Sequence, residues 1–277
     1  MIEIKKQSLS ETFSIYFDKR MLKILLLGAI SGFPWVLIGS SLSLWLKEDG
    51  LSRSTVGWAG LIFAVYAFNY LWAPLVDRIQ IPFLTKKIGH RRGWIVLMQS
   101  LILLSLFLWS MINPTENLAL VITVGLLIAV ASATQDITVD ALRIEQIGEN
   151  EGGAMAAGAA MAVVGWWSGY KLGGVLSLFS AEFLENAGFE NYWQLTFLIL
   201  GILIILMNIG LMFIHETGHE DRRIEQLEND KLISNKFIKQ NIFALSLSWV
   251  AGTIGGPILS FFKKNGFQIA IGILSFV

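Results

Sequence analysis

The chain has 277 residues, of which 54% are hydrophobic and only 15% are charged, and its mean hydropathy is +0.61. Soluble domains carry about 25% charged residues, so this composition excludes an ordinary soluble domain and favours a protein that lies in lipid. The 21 basic residues balance the 21 acidic ones, which argues against nucleic acid as a partner, and a sequence without cysteine excludes disulfides and thiolate metal sites.

Six apolar segments have the length of a membrane-spanning helix, which needs about 17–25 residues. They predict an all-α membrane protein with a polar tail at residues 1–20 and a six-helix transmembrane bundle at residues 21–214. The six predicted helices cover residues 21–46, 55–76, 93–112, 118–142, 153–181 and 192–214. The fifth has a stripe of small residues, Gly158, Gly165, Gly169 and Gly173, which predicts close packing against another helix.

The chain after the sixth predicted helix is polar and then apolar again. Residues 215–265 are expected to form a cytoplasmic linker, in which the apolar stretch 241–262 is interrupted by glycine and Pro257. That stretch is interpreted as an interfacial or re-entrant segment, or as an irregular span. Residues 266–277 are too short to cross a bilayer as a helix, so we expect a truncated seventh span and a missing C-terminal half.

Basic residues alternate between the two sides of the predicted bundle. Lysine and arginine concentrate in the tail, in the loop after the second helix and in the segment after the sixth helix, whereas the loops around Asn113 and Asn186 have none. Because cytoplasmic loops carry the excess of positive charge, the N-terminus is predicted to lie in the cytoplasm.

The loop between the second and third predicted helices contains an acidic residue next to an arginine, and further on a basic pair. Asp77 and Arg78 come first, and Arg91 and Arg92 follow after residues 79–88. We interpret these four side chains as a conformational latch that ion pairs hold in one arrangement of the helix ends. The alternative is an ordinary positively charged cytoplasmic loop.

The fourth predicted helix carries two acids at its cytoplasmic end. Asp136 and Asp140 lie four residues apart, which places them on one helix face. An acid inside a membrane is costly, and burial favours its protonated form, so both are predicted to bind the coupling proton. The alternative is an interfacial pair neutralised by Arg143 and water.

Polar and aromatic residues in other spans are candidates for contact with a solute. Lys171 lies inside the fifth predicted helix and suits a solute carboxylate, while Tyr170 and Trp35 suit a sugar face, although tryptophan at span ends often anchors the interface. Asn69 and Gln135 are further candidates, and Asn69 could instead bond a neighbouring helix. The sequence predicts neither a catalytic nor a metal-binding site.

The motifs together resemble a known family. The loop around Asp77 resembles the major facilitator signature G-x-x-x-D-R-x-G-R-R, with Ala73 where glycine is usual and residues 79–88 inserted. The run from Ser132 to Asp140, with residues 31–34, 45–46 and 71–78, looks like the AmpG-type muropeptide permeases, whose relatives include the acetyl-coenzyme A transporters.

That resemblance implies a function and a location. It implies proton-coupled uptake of anhydro-muropeptides across the bacterial inner membrane for cell-wall recycling, with the proton gradient and no cofactor. Membrane lipid and a small anionic solute would be the partners, and an enzyme is not expected. The alternatives are a carrier of acyl-coenzyme A or another metabolite on the same fold, and a membrane sensor or scaffold that transports nothing.

Overall fold

A computed structural model describes residues 14–147, 151–216 and 263. Most of the predicted tail and linker, and the whole of the predicted seventh span, lie outside the described residues. The described residues 70–80 belong to one compact unit of the chain, and the remaining residues up to 216 belong to another. Within the described residues the regular structure is helical, which confirms the predicted all-α membrane fold.

Eight helices are described, and each long one coincides with a predicted span. The helix α1 contains a π-helical turn at Leu37–Ser41, and α2 contains two short 3₁₀ stretches. The helices are α1 Lys19–Glu48, α2 Arg53–Leu71, α3 Ala73–Arg78, α4 Leu84–Ile88, α5 His90–Trp109, α6 Leu118–Glu145, α7 Gly152–Asn186 and α8 Tyr192–Leu211.

The second predicted span ends earlier than the hydropathy suggested. Its helix stops at Leu71, and Trp72 has φ −106° and ψ 1° before the short helix α3 begins. Pro74 lies in the first turn of α3, where its missing N–H is tolerated, but within a continuing helix it would break the hydrogen-bond ladder.

Five of the described helices are long and apolar enough to cross a membrane, judged by length and composition: α1, α2, α5, α6 and α8. The 35-residue helix α7 is not among them, because glycine, tryptophan and Lys171 lower its hydropathy. At about 1.5 Å per residue, α7 is nevertheless long enough to cross a bilayer. Its crossing of the membrane, and with it the count of six spans, stays a prediction.

The predicted close packing of the glycine stripe is confirmed, and the partner is α1. A Cβ added at Gly165 would overlap the carbonyl oxygen of Leu25, and one added at Gly169 would overlap the carbonyl oxygen of Ala29. Gly32 of α1 meets the carbonyl oxygen of Trp166 in the same way. The two helices therefore touch through their backbones, and α1 also packs against α6 and α8.

Candidate functional site

The candidate site begins at a proline inside α1. Pro34 has no N–H, so it cannot donate to the carbonyl oxygen of Ile30 one turn earlier. The side chain of Gln135 on α6 supplies that hydrogen bond, with its Nε2 2.8 Å from the Ile30 oxygen. Gln135 is fully buried, and its hydrogen bond to Ile30 links α6 to α1. Its predicted contact with a solute stays a prediction.

The next residue of each helix makes a second contact. The Ser31 hydroxyl of α1 donates to Oδ1 of Asp136 on α6, over 2.5 Å. Ser31 is buried and Asp136 is half-buried. Asp136 therefore receives a hydroxyl donor from a neighbouring helix. Its side chain also lines a cavity.

That cavity has a volume of about 370 Å³ and lies among α1, α6 and α7. It is mixed in character, because two acids and one arginine share it with small apolar residues. Its lining residues are Gly28, Ser31, Asp136, Val139, Asp140, Arg143, Ala159, Ala162, Val163 and Trp166.

Asp140 lies in the same cavity but in a different environment from Asp136. It forms an ion pair with Arg143, with Oδ1 3.1 Å from Nη2, and its side chain is 67% exposed whereas that of Arg143 is 18% exposed. This is the contact expected of an interfacial pair neutralised by Arg143. The spacing in the sequence does not distinguish the two acids, but their side-chain partners differ: a hydroxyl group for Asp136 and an arginine for Asp140.

An aromatic cluster continues from the cavity along α1, α2 and α7. The ring of Trp35 lies 4.5 Å from Tyr66, 5.0 Å from Phe63 and 5.5 Å from Trp166, between centroids. Trp166 stacks on Tyr170 at 5.6 Å with an interplanar angle of 3°. We call these five residues the aromatic wall. It brings together Trp35 and Tyr170, which the sequence analysis selected separately.

Two hydroxyl groups extend the aromatic wall, and a cationic group lies over the ring of a neighbouring tryptophan. The Tyr170 hydroxyl lies 3.2 Å from the hydroxyl of Ser40, which lies within the π-helical turn of α1. Lys171 is exposed, and its Nζ lies 5.8 Å from the ring centroid of Trp167. Asn69 is half-buried in the last turn of α2. The roles of Lys171 and Asn69 in solute binding stay predictions.

The basic pair at the start of α5 contacts the end of α6 and the segment that follows α8. Arg91 Nε lies 3.3 Å from Oε1 of Glu145, at the last residue of α6. The backbone N–H groups of Arg91 and Arg92 donate to Oε2 of Glu216 at 2.9 and 3.3 Å. A carboxylate at a helix N-terminus complements both the unsatisfied N–H groups and the helix dipole. Asp77 and Arg78 belong to the other compact unit, and the latch stays a prediction.

The family is shown by comparison with known proteins. A family profile described as Major Facilitator Superfamily matches residues 24–277. The chain belongs to the Major Facilitator Superfamily. The predicted resemblance is thereby confirmed, and the chain is a multi-pass membrane protein of that superfamily.

Relatives within the superfamily carry AmpG names. The chain is 32% identical to AmpG 4 of Rickettsia conorii over 260 residues, covering 94% of this chain and 56% of the relative. It is also 32% identical to the anhydromuropeptide permease of Escherichia coli K12 over 196 residues, covering 70% of this chain and 38% of the relative. The chain spans about half the length of the curated relatives it matches.

Several residues of this superfamily member's site were missed by sequence reasoning. Ser31 and Tyr66 were not selected, although Ser31 lies in the motif that carried the resemblance. Glu216 and Glu145 were not recognised as partners of the basic pair, from which they lie 125 and 54 residues away in the chain. The spacing of Trp166 and Tyr170, one helical turn apart, is the one local signal that could have indicated their stacking.

Proposed function

We propose that the chain supplies the proton site and one wall of the solute pathway in a proton-coupled importer. The solute is an anhydromuropeptide or a similar anionic sugar conjugate, and the protein lies in the bacterial inner membrane with its N-terminus in the cytoplasm. The names of the relatives support the solute class, and the excess of basic residues in alternate loops supports the orientation.

The observation that carries the proposal is the position of Asp136. Its carboxyl group lies within a spanning helix, at a cavity, and accepts a hydrogen bond from Ser31. An ionisable group is expensive in a membrane and by default indicates function. Asp140 is already neutralised by Arg143, so Asp136 is the acid of this cavity better placed to gain and lose a proton.

The aromatic wall and Lys171 supply chemistry for an anionic sugar conjugate. The stacked faces of Trp166 and Tyr170 suit the apolar face of a sugar ring, and the Tyr170 and Ser40 hydroxyl groups suit its oxygens. The Lys171 ammonium, one residue further along α7, suits a carboxylate of the attached peptide. Trp166, Tyr170 and Lys171 lie on α7 and Ser40 lies on α1; these groups are assigned to binding, whereas Asp136 is assigned to the proton.

The test is uptake of radiolabelled anhydromuropeptide by proteoliposomes that hold the intact protein, under an imposed pH gradient. We expect accumulation that depends on the gradient and disappears in Asp136→Asn, because an amide cannot carry the proton. Glu116→Gln removes an acid from an exposed loop and serves as the matched control, with uptake like the unmodified protein.

Three results would contradict parts of the proposal. Gradient-driven uptake by Asp136→Asn would remove this residue from the coupling mechanism. Accumulation of acyl-coenzyme A in place of muropeptide would support the assignment as a carrier but contradict the assigned solute. Loss of the gradient dependence in Glu116→Gln as well would show that the effect is one of general acid removal and not of the cavity.

A further inference from the structure

We infer that Gln135 is a positioning residue, which replaces the main-chain donor that Pro34 removes and so keeps Ser31 opposite Asp136. The inference rests on the proposed proton site at Asp136. It is drawn from two adjacent contacts that cross the same helix interface: Gln135 to Ile30, and Ser31 to Asp136.

The first step is the vacant acceptor in α1. In a regular helix the N–H of residue 34 would donate to the carbonyl oxygen of Ile30, and proline cannot do so. A backbone carbonyl buried without a donor is costly, above all away from water. Because Gln135 is buried and its Nε2 lies 2.8 Å from that oxygen, its amide supplies the missing donor from another helix.

The second step is the register that this contact imposes. Ile30 and Ser31 are consecutive on α1, and Gln135 and Asp136 are consecutive on α6, so the two contacts are neighbours. At the same level α1 also touches α7 through Gly32, where an added Cβ would overlap the Trp166 backbone. At the level of the site α1 therefore contacts both α6 and α7, and the bond from Gln135 is a polar contact to α6 that does not involve the acid.

The third step separates the two contacts by their response to a proton. The Ser31 bond is strengthened by a negative carboxylate and weakens when Asp136 is neutral, whereas the amide–carbonyl bond of Gln135 carries no charge. Gln135 therefore keeps Ser31 within reach of Asp136 in both protonation states. The charged and titratable groups that share the surroundings of Asp136 are Asp140 and Arg143 of α6 and Tyr66 of α2.

A double-mutant cycle between Gln135 and Pro34 tests the replacement directly. Gln135→Leu should lower the thermal unfolding midpoint of the purified protein in detergent by about 2–4 °C. In the Pro34→Ala background the N–H of residue 34 returns to Ile30, so the same substitution should lower the midpoint by less than half as much. Additive shifts would overturn the inference. If Gln135→Leu yields no folded protein, rescue by Pro34→Ala supports it and failure in both backgrounds contradicts it.

Thr138→Val is the matched control for that cycle. Thr138 is a fully buried polar residue of α6 that bonds within its own helix, to the carbonyl oxygen of Thr134 at 3.1 Å. Its substitution should shift the midpoint by the same amount in both backgrounds. Coupling of Thr138 to Pro34 as large as that of Gln135 would show a general effect of α6 and refute the specific contact.

The positioning role needs a readout that a purely structural contact would not change. Gln135→Leu and Ser31→Ala should displace the pH profile of gradient-driven uptake in the same direction, and Thr138→Val should leave it in place. A lower unfolding midpoint with an unchanged pH profile in Gln135→Leu would overturn the positioning role. The thermal cycle requires no transport, so coupling found there with normal uptake in Asp136→Asn would reject the proposed function and keep the contact.

Discussion

Gly32→Ala tests the backbone contact between α1 and α7. A Cβ at this position would overlap the carbonyl oxygen of Trp166 and lie 2.7 Å from its carbonyl carbon and 2.9 Å from its Cα. These are backbone atoms on another helix, so no side-chain rotation can relieve the overlap, and α1 and α7 must separate.

The magnitude follows from two opposing terms. Overpacking of a tight core costs about 1–3 kcal/mol, and the backbone clash places Gly32 near the upper end of that range. Replacing glycine by alanine within a helix recovers about 1 kcal/mol. The expected net loss is about 2 kcal/mol, which corresponds to a fall in the unfolding midpoint of about 4–8 °C for a protein of this size.

Gly174→Ala provides the matched comparison. Gly174 lies in α7, and a Cβ there would meet no atom within 4 Å among the described residues, so only the gain in helix propensity remains. The midpoint should rise by about 2–4 °C. The assay is tryptophan fluorescence of the purified protein during heating in detergent. Equal shifts for the two variants would refute the argument that backbone contact holds α1 against α7.

Two further predictions concern orientation and the start of α1. Asn117→Cys should react with a membrane-impermeant thiol reagent added outside the cell and Lys86→Cys should not; reversed labelling would overturn the cytoplasmic assignment of the N-terminus. Asp18 caps α1 by accepting from the backbone N–H of Arg20 at 2.8 Å, and hydrogen bonds from the Arg20 side chain and backbone lower the pKa of Asp18. Because the pKa of Asp18 is lowered in the folded state, its carboxylate stabilises the protein above about pH 4, and this stabilisation is lost as the pH falls further. The destabilisation caused by Asp18→Asn, measured by thermal unfolding, should therefore shrink at acid pH. A difference that stays constant with pH would contradict the cap.

The spans and the two acids could be predicted because they depend on local order in the chain. Apolar runs of bilayer length predict helices in any arrangement of the bundle, and a spacing of four residues places Asp136 and Asp140 on one face whatever packs against them. The basic pair at the start of α5 could be recognised for the same reason. The end of the second span was predicted too far along the chain, because hydropathy does not register the missing N–H of Pro74.

What separates Asp136 from Asp140 is decided by tertiary structure. Ser31 lies 105 residues from Asp136 in the chain, and the same distance separates Ile30 from Gln135. Such pairs depend on how α1 is rotated and how closely it approaches α6. The glycine contacts with α7 and the missing backbone hydrogen bond at Pro34 both constrain this arrangement. By itself the sequence predicted which segments are long and apolar enough to cross a membrane and which acids lie within them. The ion pair of Asp140 with Arg143 lies within one helix turn and could be considered from the sequence, but only the packed helices decided that Asp136 receives a hydroxyl donor, because Ser31 reaches it across the interface between α1 and α6.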